Sequence, residues 1–397
     1  MPTPHRPRIA VLSPFIDKRH GTERCIAEQM ERLAGEFEFH LYSSRVADLD
    51  LSSIIWHRVW VPPGPHLLRF LWWMFANRFC RGWHRLRGLR HDLVYSPGIN
   101  CLDADLIAVH MLFETLRLQM RKELSFRENS ALAWPVLVHR KIYYKLIGFL
   151  ESRIYSDENV TLITVSEKTA REIKALYGRR DDLAVIYDGL DTVRFEPGRR
   201  LALRAKSRDA LSIGDDEIAV LLIGNDLKKK GLTCLLESAA KMNVPKIGLM
   251  IVGEDSAAPY QDLIRKLGLV DQVKFLPQRQ DVEFYYAAAD VYAGPSLEDT
   301  FSMPPAEAMA CGLPVITSRA AGVSELIHNG VDGFVLEDPR DSETLSILLA
   351  KLRDHPEFRA EVGKAAAQSV AQFTWEQNAE QLKSAFQPLL EMKSRKH

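Results

Sequence analysis

The chain of 397 residues carries no net charge, with 52 lysines and arginines against 52 aspartates and glutamates. It therefore lacks the cationic field that steers proteins onto nucleic acid. Cysteine is scarce and unpatterned. Cys25, Cys80, Cys101, Cys234 and Cys311 form no C-x-x-C pair and no zinc spacing with histidine. An odd number also argues against a disulfide framework, so a reducing compartment is expected. Long internal repeats and low-complexity segments are missing as well, which excludes solenoids and disordered tails. The first residues pass into the apolar stretch Ile9 to Leu12 without the apolar core of a signal peptide, so a cytoplasmic location is expected.

What is present is enough apolar material, 46% of the residues, for two domains with separate cores. Strand-like apolar runs alternate with helical patterns almost throughout, the mark of parallel sheets covered by helices and hence of an α/β chain. The pattern occurs twice. Ile9 to Ser13, a helix from about Thr22 to Leu33, Phe37 to Leu41, Leu93 to Tyr95 and Leu106 to His110 belong to the first half. Leu162 to Val165, a helix capped by Ser166 and running to Leu176, and Leu183 to Tyr187 close it. In the second half the strands are Ala219 to Gly224, Ile247 to Gly253, Val273 to Leu276, Val291 to Gly294 and Pro314 to Thr317. Asp191 to Arg200, with Pro197 and Gly198, reads as a linker. Charge is uneven between the halves. Residues 1–195 hold 28 basic and 23 acidic side chains and the remainder 24 and 29, which favours an anionic partner for the first half.

The densest chemistry lies in Pro295 to Gly312, PSLEDTFSMPPAEAMACG, followed by the apolar run Leu313 to Ile316. Asp299 and Glu307 flank a loop of small residues that enters a short helix through Pro304 and Pro305. Prolines at a helix start give up N–H groups that would have no helical partner, and leave the loop N–H groups ahead of them to face a ligand. A carboxylate accepts two hydroxyl hydrogen bonds at once, so Glu307 suits a vicinal diol such as a ribose. A second loop, Ile223-Gly224-Asn225-Asp226-Leu227 followed by three lysines and Gly231, ends a strand before a helix. There a diphosphate meets free N–H groups and a positive dipole end, with Lys230 as its charged partner.

These segments resemble family 4 retaining glycosyltransferases of the GT-B fold (glycosyl transferases group 1). The E-x7-E motif of that family, written E-G-F-G-L-x-x-x-E-A-M-A-x-G-x-P-V, aligns its second acid with Glu307. Its first acid then falls on Asp299, one methylene shorter, and either Asp299 or Glu298 takes that place beside the donor sugar. Thr300 and Ser302 replace the two loop glycines, around Phe301 and ahead of Met303, which points to a backbone contact. The family's G-R-L-x-x-x-K-G fits Gly224, Lys230 and Gly231, but Asn225 stands at the arginine, with Lys228 or Lys229 positioned to compensate. Gly253 and the turn at Pro277 and Gln278 match further donor loops, and Ala321 to Ile327 opens a helix that could lend N–H groups. In the first half, Arg19 to Arg24 resembles the family's glycine loop G-G-x-E-R. The resemblance implies a close approach of Gly21 to the donor's phosphates or the acceptor, and makes His20 and Glu23 candidates for acceptor contact. His110 ends an apolar strand; in similar enzymes such a histidine lies beside the transferring sugar, and it can hydrogen-bond a hydroxyl while neutral. Asp103 and Asp105 form a D-x-D pattern, which is discounted because its surroundings offer no diphosphate-holding partner and the GT-B family normally needs no metal.

His66 to Arg90 contains six arginines, three tryptophans and three phenylalanines but no acid, and its apolar part is too short and too often broken by arginine to span a bilayer. It reads either as an interfacial helix on an anionic leaflet, with Trp72 and Trp73 at headgroup depth, or as a core helix with a basic solvent face. Arg117, Arg121, Lys122, Arg127, Arg140, Lys141 and Lys145 extend the basic character and favour a phosphorylated or lipid-linked acceptor.

The resemblance thus implies two Rossmann-like domains with parallel sheets facing across a cleft. The division expected is 1–195 for an acceptor-binding domain, 196–375 for a nucleotide-sugar donor-binding domain, and 376–397 for a helix crossing back to the first. The activity implied is retaining, metal-independent sugar transfer from a UDP- or GDP-sugar co-substrate, with no bound cofactor, to a saccharide or lipid-linked acceptor in cell-surface polysaccharide, lipopolysaccharide or glycolipid synthesis. His110, Asp299 and Lys230 are the catalytic candidates. The protein is expected in the cytoplasm, touching the inner membrane face peripherally. A GT-B-like nucleotide-sugar epimerase and a non-catalytic nucleotide-sugar binding protein are the alternatives.

Overall fold

The computed structural model describes residues 6–119, 134–180, 183–242 and 247–395; Arg121, Lys122 and Arg127 of the basic stretch lie outside them. The chain forms two compact units, Met1–Tyr187 with Trp375–His397, and Asp188–Thr374.

In the first unit the elements run β1 (Arg8–Leu12), β2 (Phe15–Ile16), α1 (Gly21–Leu33), β3 (Glu38–Ser43), β4 (Arg45–Val46), β5 (Ile54–Arg58), α2 (His66–Leu86), β6 (Leu93–Pro97) and β7 (Leu106–Val109). They continue with α3 (Phe113–Gln119), α4 (Trp134–Tyr155), β8 (Thr161–Thr164), α5 (Glu167–Tyr177) and β9 (Ala184–Val185). Among the described residues, seven parallel strands form one sheet in the order β5-β3-β1-β6-β7-β8-β9. The reversal of direction beside β1 is the switch point at which open α/β sheets expose ligand sites. Strand β5 falls in a part of the sequence where no strand is expected, because its apolar run, Ile54 to Trp56, is only three residues long before the polar His57 and Arg58.

The second unit contains α6 (Pro197–Ala210), β10 (Ile218–Ile223), α7 (Leu232–Met242), β11 (Ile247–Val252), α8 (Gln261–Leu267), β12 (Val273–Leu276), α9 (Glu283–Ala288), β13 (Val291–Gly294) and α10 (Met303–Ala310). β14 (Val315–Ser318), β15 (Phe334–Leu336), α11 (Ser342–Asp354) and α12 (Pro356–Val370) complete it. Its parallel sheet has the order β12-β11-β10-β13-β14-β15 among the described residues. β10 and β11 are buried at every position, as continuous apolar strands between two helix layers must be.

The last helix, α13 (Trp375–Ser394), returns to the first unit. Phe386 packs edge-on against Phe37 and Tyr95, and Gln29 donates to Asn378 at 2.8 Å in the buried interface with α1. The boundary lies after Tyr187, earlier than the sequence places it, because the expected linker is bound into the second unit. Leu190 donates to the Phe373 carbonyl at 2.8 Å, Arg194 pairs with Glu283 at 2.6 Å, and Phe195 packs edge-on against Tyr286.

Candidate functional site

In the second unit the strand ends gather the residues singled out in the sequence. β10 runs into Gly224, whose φ of 158° belongs to glycine; a Cβ there would stand 2.7 Å from Lys230 Cε. The lysine stem therefore lies along the glycine. Lys230 Nζ reaches Asp299 Oδ2 at 2.5 Å and Ser302 Oγ at 3.1 Å. Gly231, at φ 81°, sits against the Pro295 carbonyl oxygen so closely that any side chain would collide with it. The lysine loop and the Pro295–Ser302 loop are thus seated on each other, and Leu297 N–H donates to the Lys229 carbonyl at 2.6 Å.

Asn225 does not point a charge anywhere. Its Oδ1 accepts from Glu254 N–H at 3.0 Å and from Gln278 Nε2 at 3.2 Å, tying together the loops that leave β10, β11 and β12. Gly253 lies between them, where a Cβ would meet the Gly224 carbonyl oxygen. Pro277 closes the third loop through its carbonyl, which accepts from the Tyr285 hydroxyl at 2.7 Å. Lys229, one of the two candidates to replace the missing arginine charge, is already 3.6 Å from Asp226.

After β13 the chain crosses Glu298, Asp299 and Thr300. Asp299 pairs in parallel with Ala321: its N–H donates to Ala320 at 3.1 Å, and Gly322 N–H donates back to its carbonyl at 3.2 Å. Phe301 is buried, and its carbonyl accepts from Val323 N–H at 2.8 Å. Ser302 then turns at φ 81° and ψ 94°, a left-handed conformation where the related motif carries glycine. It is held there by Lys230 and by burial, and leads into α10 with Met303 at the first position and both prolines in the first turn. Glu307, in the middle of α10, is 5% exposed, and its Oε2 accepts the Tyr286 hydroxyl at 2.8 Å. Burial holds the Tyr286 pKa well above its usual range, so this phenol keeps its proton and remains a donor. Tyr286 was missed by sequence reasoning; it lies within a helical pattern that carries no motif.

In the first unit the candidates follow strand ends. Asp17, buried after β2, accepts Arg19 N–H at 3.0 Å, His20 N–H at 3.1 Å and the His20 Nδ1 at 2.8 Å. Burial alone would raise the Asp17 pKa, but the hydrogen bonds from His20 and Arg19 outweigh it and hold the carboxyl below its usual range. His20 is thereby fixed as the residue that opens α1, ahead of Gly21. Burial raises the pKa of Glu23 in the first turn. His110 follows β7 directly, and desolvation pulls its imidazole down to about 4, so the ring is neutral at pH 7. The D-x-D residues are engaged elsewhere: both Asp103 oxygens take Arg81, at 2.7 and 3.0 Å, while Asp105 takes Lys393 at 2.6 Å and Val94 N–H at 2.8 Å.

The outer helices of this unit have a definite polarity. Around α2, Trp73, Asn77 and Arg81 point inward, while Leu68, Trp72, Phe75, Phe79, Trp83 and Leu86 form an exposed stripe on the opposite side. This corrects the expectation for Trp73, which is 2% exposed and donates to the Asn100 carbonyl at 3.0 Å. Among the described residues no helix is long and apolar enough to cross a membrane.

Comparison with known sequences now adds to this geometry. The family described as Glycosyl transferases group 1 matches residues 204–369, and Glycosyltransferase Family 4 matches residues 19–194. The chain belongs to the family 4 glycosyltransferases. The fold is GT-B. Relatives include the D-inositol 3-phosphate glycosyltransferases of Thermobifida fusca, 28% identical over 58% of this chain and 55% of that protein, and of Mycolicibacterium smegmatis, 30% identical over 58% and 53%. The chain thus spans about half the length of the curated relatives it matches. Among solved structures, WaaG, a glycosyltransferase involved in lipopolysaccharide biosynthesis, superposes with a TM-score of 0.77 at 18% identity, over 94% of this chain and 98% of that one. Anabaena Alr3699/HepE in complex with UDP-glucose gives 0.70 at 21% identity, over 96% and 99%. In this family 4 glycosyltransferase the two loops that carry the group 1 motif are the ones joined by the Lys230 and Asp299 ion pair.

Proposed function

We propose that the protein is a retaining glycosyltransferase that takes its sugar from a nucleotide-diphosphate sugar, UDP- or GDP-linked, and passes it to a saccharide or lipid-linked acceptor during synthesis of a cell-surface polysaccharide, lipopolysaccharide or glycolipid. The observation that carries this reading is the convergence of Lys230, Asp299 and Ser302 on two loops at the carboxyl edge of one parallel sheet, with Glu307 on the helix that the second loop enters. Relatives that are D-inositol 3-phosphate glycosyltransferases, and a structural neighbour solved in complex with UDP-glucose, support the same reading.

The roles follow from the chemistry of each group. Glu307 keeps one oxygen on Tyr286, which fixes the carboxylate plane for the ribose hydroxyls. Lys230 exchanges Asp299 for the donor's phosphates and stabilises the charge that grows on the departing diphosphate. Asp299, released from the lysine, faces the sugar hydroxyls and the positive charge developing at the anomeric carbon. The acceptor hydroxyl attacks from the face that the diphosphate leaves, and its proton passes to a phosphate oxygen, so no opposing carboxylate base is required. Neutral His110 donates or accepts a hydrogen bond with a sugar hydroxyl, and His20 and Glu23 meet the acceptor. The reaction needs no metal in this scheme, because the lysine and the loop N–H groups carry the diphosphate charge.

The α2 stripe gives the protein a place beside its acceptor. Arg69 and Arg87 flank the stripe on one side and Arg78 and Arg85 on the other, and the helix has no acid, so its charge complements an anionic lipid surface. The protein works in the cytoplasm, resting on that surface.

The test is to incubate the full chain with UDP- and GDP-sugars and a lipid extract, and to read the product's anomeric configuration by NMR. Transfer with retained configuration is expected. Release of nucleotide with free sugar as the sole product would instead favour the epimerase.

A further inference from the structure

The helix α4 has two unlike faces. Trp134, Ile142 and Phe149 are exposed on one side, together with Lys145 and the half-buried Lys141, while Leu137, Ile147, Glu151, Ile154 and Tyr155 are buried on the other. It packs beside α2: Leu67 N–H donates to His139 Nε2 at 3.3 Å, and Phe70 meets Tyr143 edge-on. The two apolar, basic faces therefore belong to neighbouring surface helices.

Glu151 is fully buried, and among the described residues its carboxylate pairs with no cation. Oε1 accepts Phe113 N–H at 2.9 Å and Oε2 accepts Glu114 N–H at 2.8 Å. These are the first residues of α3, separated from His110 only by Met111 and Leu112. A helix start is usually capped by a side chain of its own segment; here the cap comes from a different helix whose outer face is apolar. The groups around the carboxylate are Glu114 of α3, held by Arg117, and the rings of Tyr155 and Tyr177, which pack edge to face. The second helix does the same on the other side of β7. Trp73 and Asn77 of α2 both donate to the Asn100 carbonyl, at 3.0 and 3.2 Å, and Gly98 of that loop donates to Ala108 at 2.8 Å, two residues before His110.

We propose that Glu151 is a positioning residue that couples the outer face of α4 to the His110 segment, so that contact of this face with an anionic lipid surface settles the histidine for the transfer reaction. The inference rests on the lipid-facing reading above. A carboxylate bound to two successive N–H groups transmits displacement well, because rotation or sliding of α4 cannot keep both bonds unless the start of α3 follows. His110 follows in turn, being tied to α3 by two residues of chain.

The experiment measures hydrogen exchange at the Phe113 and Glu114 amides of the full chain, with and without vesicles of phosphatidylcholine mixed with phosphatidylglycerol. In the unaltered protein, vesicles are expected to slow exchange at these two amides by about tenfold. Glu151→Gln keeps the side-chain size and leaves α4's outer face untouched, but its amide nitrogen cannot accept the second N–H. It should bind the same vesicles equally while losing the vesicle-dependent slowing, a response that a merely structural cap would not show. Trp134→Ser with Phe149→Ser, which leaves Glu151 in place, should lose the slowing together with much of the binding. Vesicle binding by the unaltered protein without any change at these amides overturns the coupling and leaves the lipid reading standing. Absence of vesicle binding overturns both.

Discussion

The second unit joins its donor-side loops to one another, whereas the first attaches the His110 segment and the loop after β6 to surface helices and leaves His20 to Asp17 of its own loop. Lys230 bridges to Asp299 and Ser302, Asn225 bridges to Glu254 and Gln278, and Gly231 rests on Pro295. These contacts join the ends of adjacent strands and, through Asn225 and Gln278, of strands one apart, so the edge of the sheet is self-supporting. In the first unit the His110 segment depends on Glu151 of α4, and the loop after β6 depends on Trp73 and Asn77 of α2. A self-supporting edge suits recognition of a ligand whose phosphates and ribose are always the same. An edge attached to surface helices suits an acceptor that arrives with its own surroundings.

The sharpest way to break this contrast is to cut a helix attachment. Trp73→Ala should lower the stability of the first unit by about 4 kcal/mol, since it removes a large buried ring and a hydrogen-bond donor. Trp72→Ser, one residue earlier but exposed, gives up only a surface hydrogen bond to the Trp60 carbonyl and an edge-on ring contact, so it should cost about 1 kcal/mol and act on vesicle binding as well. All seven tryptophans lie in the first unit, so tryptophan fluorescence during denaturation reads its unfolding selectively. Equal losses for the two variants would dissolve the distinction between the inner and outer faces of α2.

Acid should separate the units next. His40, His57, His84 and His91 surround Tyr42 between β3, β5 and the end of α2, with Glu38 bonded to His40 and Arg81 close by. Burial, and then the charges of the neighbouring histidines, pull His57 down to about 4 and His91 to about 3. The unfolded chain titrates near the ordinary histidine value, about 6.5, and so binds more protons than the folded one below it. Stability is therefore complete above that pH and falls as the pH drops through 6.5 toward 4. The expected loss is about 3 kcal/mol for the pair, allowing for solvent screening of partly exposed rings. The tryptophan-detected transition should show it and should lose part of its pH dependence in His57→Gln; a flat profile in the unaltered protein would contradict the lowered values of His57 and His91.

The smallest effect tests the self-supporting edge itself. Ser302→Ala keeps the left-handed strain and gives up the Lys230 contact, whereas Ser302→Gly gives up the same contact but relieves the strain. The alanine variant should be less stable than the glycine variant by about 1 kcal/mol, as read by the nucleotide-independent thermal transition of the second unit. The reverse order would mean that the serine backbone is not strained where it stands.

Legibility in the sequence follows the same division. Five of the six strands described in the second unit are read directly, because buried parallel strands such as β10 and β11 are unbroken apolar runs and the loops after them carry their own partners within the motifs; β15, only three residues long, is missed. β5 escapes, since its apolar run Ile54 to Trp56 is as short and ends at polar residues. The positions of His20 and His110 are legible as strand ends, but what holds them is not. Asp17 could have been found from its place just ahead of a helix start, as a side chain able to accept the first N–H groups. Glu151 could not, because its partners lie 37 and 38 residues away in a chain where no pattern links them. Trp72 and Trp73 read alike as a pair of aromatics; only the helical phase set by Asn77 and Arg81 assigns one to the exposed face and the other to the core.

The central claim is that the second unit cradles the activated sugar through Glu307 and Lys230. Thermal shifts of the full chain with UDP, GDP, ADP and their sugars test it most directly when repeated on Glu307→Ala and Lys230→Ala. The account predicts a shift with one nucleotide family that disappears in Glu307→Ala and weakens in Lys230→Ala. A shift unchanged in both variants would contradict it and move the donor away from these loops.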